Sequence, residues 1–229
     1  MTRDELLHVA HDRLYPAVTN PNYLVLRSRR LIFTQWLSMM EGNLAVLDVG
    51  GRYQPYRPLL HGKIKNYLAL DVQPTELVSV VGTGEAVPFQ EESFDLVIAT
   101  GVFEYFYRPH NAANELHRVL KSGGKLLMSV ASVAPRFVDE ECWRYTPRAL
   151  QSVLSSFSQV SIVPEVFSPG GLLRLVNLGL HDFLKVRPLK FSYSITVCPV
   201  LNWLGRALEG AKLTKNDQWT GNYSVMATK

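Results

Sequence analysis

The hydrophobic pattern of this chain of 229 residues alternates short apolar runs with segments whose apolar residues recur at helical spacing. The apolar runs predict seven β-strands, at residues 44–50, 66–72, 77–82, 94–100, 124–130, 159–167 and 222–228. Runs that are apolar at successive positions are typical of strands covered on both faces of the sheet. Because helical segments separate the strands, the pattern predicts an α/β fold, a doubly wound and mostly parallel sheet with right-handed crossovers.

Helix boundaries follow from glycine, proline and threonine positions. A helix between the fourth and fifth strands is predicted to stop at Gly123 and Gly124. After the fifth strand, Thr146 and Pro147 form a good cap and first turn for a second helix. Residues 1–40 predict one or two helices that cover a sheet edge or form a lid over the site.

Residues 166–215 form a long insertion between the sixth and seventh strands. They are too apolar for a structureless loop and predict helices that pack on the domain or on something outside it. Within them, residues 185–215 hold six basic residues against one acid. Apolar faces with basic edges are compatible with peripheral contact with a membrane surface or with a lipid-linked substrate. An ordinary helical cap or a homodimer interface is the alternative. The whole chain, 1–229, is predicted to be a single domain.

Composition and charge exclude several classes of protein. The apolar fraction of 47% and the charged fraction of 19% exclude a disordered chain and a coiled coil. A net charge of +4, without aromatic residues interleaved among the basic ones, argues against a nucleic-acid partner. Cys142 and Cys198 form neither a disulfide framework nor a metal-binding pattern. Acidic residues near the N-terminus argue against a signal peptide, so we expect a cytoplasmic protein, with the inner face of the membrane as its contact surface.

The segment VLDVGGRYQPY, residues 46–56, combines a strand end with two glycines. In open α/β sheets, ligands bind beyond the carboxyl ends of the strands, and glycine allows a ligand to approach the backbone closely. Asp71 ends the next strand about twenty residues later, where a carboxylate can accept both ribose hydroxyls. Arg52 and Pro55 interrupt the glycine pattern of dinucleotide sites, which disfavours an NAD-dependent oxidoreductase. S-adenosylmethionine has no phosphate and tolerates a looser turn.

Five segments carry a resemblance to a known family: VLDVGGRYQPYRPL, YLALDV, GTGEAVPFQEESFDLVIATGVFEY, ELHRVLKSGGKLLMSV and WRYTPRAL. In these segments the chain resembles the class I S-adenosylmethionine-dependent methyltransferases. It is most similar to the small bacterial group often found with genes for surface-polysaccharide synthesis. The resemblance implies a Rossmann-like sheet of seven strands whose last strand is antiparallel. It also implies S-adenosyl-L-methionine as cofactor and S-adenosyl-L-homocysteine as product.

The resemblance also implies which positions contact the cofactor. The glycine motif would line the methionine part, Asp71 would hold the ribose, and the end of the fourth strand would lie near the sulfonium. These positions are Asp48, Gly50, Gly51, Arg52, Asp71, Val72, Thr83, Gly84, Glu85, Thr100, Gly101 and Val102. Arg52 and Gln54 replace the second and third glycines of the family, and Thr83 replaces an acid that contacts adenine. The Arg52 guanidinium can instead bind the methionine carboxylate.

Methyl transfer requires alignment of the acceptor, and a base only where the acceptor is a hydroxyl. Tyr105 and His110 are the catalytic candidates, with core packing and a surface position as their alternatives. Trp143, Arg144 and Tyr145 are candidates for the acceptor site, with an anchor for the following helix as the alternative. The sequence predicts methyl transfer to a small molecule or glycan precursor, including a lipid-linked one. A non-catalytic binding or scaffold protein with a degenerate cofactor site is the alternative function.

Overall fold

One mixed sheet of seven strands forms the centre of the protein in the computed structural model, which describes residues 1–210 and 216–229. The strands are β1 (Leu44–Val49), β2 (Ile64–Asp71), β3 (Val80–Val81), β4 (Phe94–Thr100), β5 (Leu120–Ala131), β6 (Gln159–Pro164) and β7 (Asn222–Thr228). Their spatial order is β3-β2-β1-β4-β5-β7-β6. β7 is antiparallel to β5 and β6, while the pairs from β3 to β5 are parallel. The predicted fold and its antiparallel last strand are confirmed.

The strand order reverses between β1 and β4. β1 pairs with β2 on one side and with β4 on the other, and Val49 lies opposite both Leu70 and Ala99. The carboxyl ends of β1, β2 and β4 therefore lie side by side. This reversal is the position at which open α/β sheets bind their ligands.

Seven α-helices surround the sheet in the described part of the chain. They are α1 (Arg3–Leu14), α2 (Tyr23–Ser38), α3 (Pro109–Val119), α4 (Pro147–Val153), α5 (Ser168–Phe183), α6 (Arg187–Ile195) and α7 (Val197–Gly210). α4 begins as predicted, because the Thr146 hydroxyl accepts a hydrogen bond from the Ala149 amide at 3.3 Å.

Alternate strand residues pack on opposite faces of the sheet. On one face, Leu47 and Val97 pack in the same buried cluster as Leu116 of α3. On the other face, Ile98 packs in a cluster with Phe33 of α2. Because α2 presents its buried residues to the sheet, it covers a face of the sheet and not an edge.

Two local boundaries differ from the sequence prediction. α3 ends at Val119, and β5 begins at once and runs through Gly123 and Gly124. The C-terminal Lys229 explains this, because its amide donates to the Gly124 carbonyl at 3.0 Å and its carbonyl accepts from the Gly123 amide at 3.2 Å. Between β1 and β2, the only helical element is a short 3₁₀ turn, Arg57–Leu60.

The insertion between β6 and β7 is helical, as its apolar pattern predicts. β6 ends at Pro164, and α5, α6 and α7 follow from Ser168 to Gly210. Residues 211–215 of the predicted insertion lie outside the described residues. Within the described residues, no helix combines the length and the apolar character needed to cross a bilayer.

Candidate functional site

The glycine turn after β1 is fixed by contacts that only glycine permits. Gly50 has a φ of +76°, and a Cβ there would lie 3.1 Å from the Cβ of Val102. A Cβ at Gly51 would lie 2.6 Å from the Asp48 carbonyl oxygen. The amides of Gly50 and Gly51 both donate to the Leu70 carbonyl, at 2.8 and 3.3 Å. Since these two amides are already engaged, the turn is a poor cradle for a phosphate.

Arg52 and Gln54 stand where the family usually has glycine, and both side chains have partners. Gln54 adopts a φ of +52°, so it takes the left-handed backbone that a glycine would supply. Its Nε2 donates to the Leu77 carbonyl at 2.6 Å, which ties the turn to the loop after β2. The Arg52 guanidinium donates to Gln73 Oε1 and lies over the Tyr53 ring, 5.1 Å from its centroid.

Asp71 ends β2 directly beside the glycine turn. It is buried, and its Oδ1 accepts a hydrogen bond from the Gln73 amide at 2.9 Å. The next residue, Val72, exposes 66% of its surface. A carboxylate followed by an exposed apolar side chain can hold a ribose and cover one face of a base.

Asp48 lies beneath the turn and is also buried. Burial raises the pKa of Asp48 to about 7, a hydrogen bond from the Tyr67 hydroxyl opposes this shift, and the nearby charge of Asp71 adds to it. The Tyr67 hydroxyl donates to Asp48 Oδ2 at 2.6 Å. Asp48 therefore holds a proton more readily than an ordinary carboxyl.

The end of β4 leaves open space next to the turn. Thr100 pairs with Ser129 of β5, and the Gly101 amide donates to the Ser129 carbonyl at 2.9 Å. Gly101 has a φ of +61°, and no heavy atom of the described chain lies within 4 Å of the position a Cβ would take. Val102 packs against Gly50. The structure thus brings the predicted residues of β1 and β4 together.

The segment after β3 has partners of its own. A Cβ at Gly84 would lie 2.6 Å from the Phe106 ring, so glycine is required there for packing. Glu85 Oε1 accepts a hydrogen bond from the Arg108 amide at 2.7 Å, where α3 begins. The Thr83 hydroxyl accepts from the Glu85 amide at 3.3 Å. These contacts within the chain account for the residue types at positions 83, 84 and 85 without any contact to a ligand.

The two catalytic candidates lie in different surroundings. Burial raises the pKa of Tyr105, with the carboxylates of Glu141 and Glu104 adding to the shift and Arg52 opposing it. Tyr105 thus lies within electrostatic reach of the glycine turn. His110 is exposed in the first turn of α3 and lines a cavity of about 600 Å³.

All three predicted acceptor residues line that same cavity, but only one is free to reach into it. Trp143 is partly exposed, and its indole N–H donates to the Phe106 carbonyl at 2.7 Å. Arg144 donates to the Pro135 carbonyl at 2.8 Å and to Glu141. Tyr145 is buried, and its hydroxyl donates to the Phe103 carbonyl at 2.9 Å. Arg144 and Tyr145 therefore anchor the loop before α4.

A buried ion pair near the carboxyl ends of β5 and β6 is absent from the sequence prediction. Arg29 of α2 donates to both carboxylate oxygens of Glu165, at 2.8 and 3.0 Å. The hydroxyls of Ser129 and Ser224 donate to Glu165 Oε1 at 2.5 and 2.9 Å. The feature of the sequence that could have indicated this ion pair is the acid Glu165 near the end of the apolar run 159–167.

Glu104, after β4, is a further buried carboxyl. Its Oε1 accepts from the Ala131 amide at 2.5 Å, whereas Oε2 is buried without a hydrogen-bond partner in the described chain. Burial raises its pKa, and the hydrogen bond from Ala131 opposes the shift. Its backbone carbonyl accepts from the amides of Cys142 and Trp143, at 2.7 and 3.1 Å. Glu104 therefore joins the end of β4 to the loop that carries Trp143.

The N-terminal helix α1 reaches the glycine turn. The Arg13 guanidinium lies over the ring of Tyr53, 4.5 Å from its centroid. Tyr15, just after α1, lines a cavity of about 750 Å³. Phe137, in the loop after β5, and Leu178 of α5 line the same cavity. The N-terminal segment therefore contacts the glycine turn through Arg13 and the insertion through Asn22, which accepts a hydrogen bond from Arg174. No motif of the sequence indicates this cavity.

Comparison with known proteins agrees with the geometry. Residues 47–128 match a family described as "Methyltransferase domain". The chain is 27% identical over 138 residues to the 2-methyl-6-phytyl-1,4-hydroquinone methyltransferase of Spinacia oleracea, covering 54% of this chain and 40% of that protein. The chain spans between 40% and 51% of the length of the first four curated relatives it matches.

Solved structures share the fold at low sequence identity. Phosphoethanolamine N-methyltransferase 2 of Haemonchus contortus, in complex with S-adenosyl-L-methionine, superposes with a TM-score of 0.55 at 15% identity, covering 96% of this chain and 60% of that one. The cyclase SpnF superposes with a TM-score of 0.53 at 17% identity, covering 88% of this chain and 80% of that one. The chain therefore has the fold of the class I S-adenosylmethionine-dependent methyltransferases, and its residues 47–128 are similar to a methyltransferase domain.

Proposed function

We propose that this protein transfers a methyl group from S-adenosyl-L-methionine to a small molecule or a glycan precursor, including a lipid-linked precursor. The observation that carries the proposal is the turn at Gly50 and Gly51 beside Asp71, at the reversal of strand order. The matching methyltransferase domain, residues 47–128, includes this turn and Asp71.

The residues of this site fit the cofactor. Asp71 offers a carboxylate for the ribose hydroxyls, and exposed Val72 offers an apolar surface for adenine. The space next to Gly101, where a Cβ would project, is open and leaves room for the cofactor. The amides of Gly50 and Gly51 are engaged with Leu70, which suits a cofactor without phosphate. When bound, S-adenosylmethionine supplies an electrophilic methyl group on its sulfonium.

The chain's own residues orient the acceptor and exclude water. Tyr105 lies after β4, and its side chain is partly exposed, so it is available to contact an acceptor hydroxyl. His110 lies in the cavity with Trp143, whose indole can stack on a sugar or another ring. Relatives named for a phytylhydroquinone and for phosphoethanolamine are compatible with a small-molecule acceptor. The association with surface polysaccharide stays a proposal based on sequence resemblance.

Titration calorimetry with S-adenosylhomocysteine tests the site. We expect Asp71→Asn to weaken binding on the order of 10- to 100-fold, because hydrogen bonds to a charged group are lost. The matched control is Glu76→Gln, which removes an exposed acid from the same loop and should bind like the unmodified protein. No binding by the intact protein, or equal binding by both variants, would contradict the assigned site.

A second candidate function is a non-catalytic binding or scaffold protein. The observation that favours it is the occupied glycine turn, in which Arg52 is bonded to Gln73 and Gln54 is bonded to Leu77. A labelled-methyl assay on cell extract separates the two functions. Transfer of label to a product supports the enzyme, whereas cofactor binding without transfer supports the scaffold. Cofactor released from the heated protein would show that the turn still binds it.

A further inference from the structure

Two helices of the insertion, α5 and α7, bury polar side chains and expose apolar ones; we call residues 168–210 the helical cap. In α5, the buried side chains include Arg174 and Asn177, which are polar. The outward stripe is apolar and consists of Leu172, Val176, Leu180 and Phe183. Their spacing of three to four residues places them along one face of the helix. A helix at an ordinary water-exposed surface has the opposite arrangement.

α7 repeats the inverted pattern. Its buried residues are Cys198, Asn202 and Gly205. The amide of Asn202 donates to the carbonyls of Val18 and Asn20, at 2.7 and 2.9 Å, so the polar face is used to anchor the helix. Its exposed residues include Val200, Trp203 and Leu204.

α6 and the connection before it add more exposed apolar surface and a basic edge. Leu189, Phe191 and Ile195 are exposed, and Phe183 at the end of α5 exposes 83% of its surface. Single exposed apolar side chains are normal, whereas three helices that pack on one another and each expose several large apolar residues indicate an interaction surface. The basic residues Lys185, Arg187, Lys190 and Arg206 lie in the same segment. No acid lies between Phe183 and Leu208 in the sequence, and the two acids of the cap flank this segment: Asp182 lies beside His181, and Glu209 accepts a hydrogen bond from the Phe167 amide.

We propose that the outer face of the helical cap docks on an anionic lipid bilayer. Amphipathic helices that lie in a membrane interface combine Trp, Phe and Leu on one face with Lys and Arg beside them. The absence of acids from this sequence segment favours an anionic partner. A symmetric dimer through this face would bring the same basic residues of two copies together, which is unfavourable. This proposal does not depend on methyl transfer.

The cap lies at the same end of the sheet as the glycine turn. The Arg174 guanidinium donates to Asn22 Oδ1 at 2.9 Å, and the backbone at Gly171 packs against Trp219, close to the start of β7. α5 lines the cavity of about 750 Å³ through Leu178. Docking of the outer face would therefore place the end of the sheet that carries the glycine turn close to the bilayer.

Flotation of the whole chain with vesicles tests the proposal. The probes are vesicles of phosphatidylcholine alone and vesicles with about one third phosphatidylglycerol, at low and physiological salt. We expect flotation only with the anionic vesicles. Replacing Lys185, Arg187 and Lys190 by Gln should weaken partitioning on the order of 100-fold, since each basic residue near an anionic surface contributes about 1 kcal/mol. The matched control replaces three exposed basic residues elsewhere, Arg3, Lys65 and Arg148, by Gln.

A second pair of variants tests the apolar contribution. Phe183→Ser, Phe191→Ser and Trp203→Ser together should abolish flotation while leaving the melting temperature unchanged, because all three side chains are exposed. The control is Met39→Ser with Leu31→Ser, which removes exposed apolar residues of the N-terminal region. The proposal is overturned if the intact protein does not bind anionic vesicles, or if both members of a pair lose binding equally. It is also overturned if a dimer seen by light scattering buries this face and prevents binding.

Discussion

The buried ion pair between Arg29 and Glu165 gives the sharpest prediction for stability. Changing Glu165→Gln removes the negative charge and leaves the Arg29 guanidinium buried beside an amide. Burial alone would lower the pKa of Arg29, but the charge of Glu165 and the hydrogen bonds it accepts raise that pKa above its ordinary value. Without Glu165 only burial still lowers the pKa, but a guanidinium is not deprotonated in proteins, so Arg29 stays charged in the variant without a countercharge.

Breaking a buried ion pair by removing one partner costs about 3–5 kcal/mol. For a domain of this size, that loss lowers the melting temperature by about 6–20 °C, at 2–4 °C for each kcal/mol. The exposed pair of Arg136 and Asp139, at 2.9 Å, provides a matched control. Asp139→Asn should change stability by less than about 1 kcal/mol, because water screens an exposed pair. The two pairs have similar lengths, 2.8 and 2.9 Å, and differ chiefly in burial.

Urea unfolding followed by circular dichroism measures both variants. The double variant Arg29→Met with Glu165→Met should recover part of the loss, because neither charge is then buried alone. A cost for Glu165→Gln equal to that for Asp139→Asn would refute the argument. It would mean that the Glu165 carboxylate is hydrated in solution and that α2 is not held to the sheet by this pair.

Three further variants test the interior of the site. Gly51→Ala should lower the melting temperature strongly, because its Cβ would lie 2.6 Å from the Asp48 carbonyl oxygen. The control Gly42→Ala should leave the melting temperature unchanged, because its Cβ would lie 3.7 Å from the nearest atom. The unmodified protein should lose stability relative to Asp48→Asn as pH rises from about 4 to about 7. The reason is that Asp48 keeps its proton in the folded state up to a pKa of about 7, whereas the unfolded chain releases it near 3.8. If the free energies of unfolding in urea of the two proteins changed in parallel with pH, the result would contradict this. Tyr145→Phe should cost about 1–3 kcal/mol in the same assay, because the Phe103 carbonyl loses its buried donor; no change would show that water replaces it.

Much of the fold could be predicted because periodicity records which residues are buried. The runs at β1 and β4 are largely buried, and each appears in the sequence as an apolar stretch interrupted by a single aspartate. The end of α3 could not be predicted in this way, because β5 gains its first residues by pairing with the distant C-terminal Lys229.

The candidate site was predictable where residue type and position in the fold coincide. Gly50 and Asp71 follow adjacent strands, so the sheet brings them together as expected. Tyr145 has the residue type of an acceptor contact, but its hydroxyl is directed to a backbone carbonyl, which only the tertiary structure reveals. The Arg29 and Glu165 pair joins residues 136 positions apart, and no local pattern encodes such a contact.

A crystal structure with S-adenosylhomocysteine would test the central claim most directly. We predict that both ribose hydroxyls lie within hydrogen-bond distance of the Asp71 carboxylate, with the homocysteine chain across the turn at Gly50 and Gly51. Adenine should contact Val72. A complex in which the Asp71 carboxylate contacts no part of the ligand, or in which the ligand binds away from this turn, would contradict the assignment.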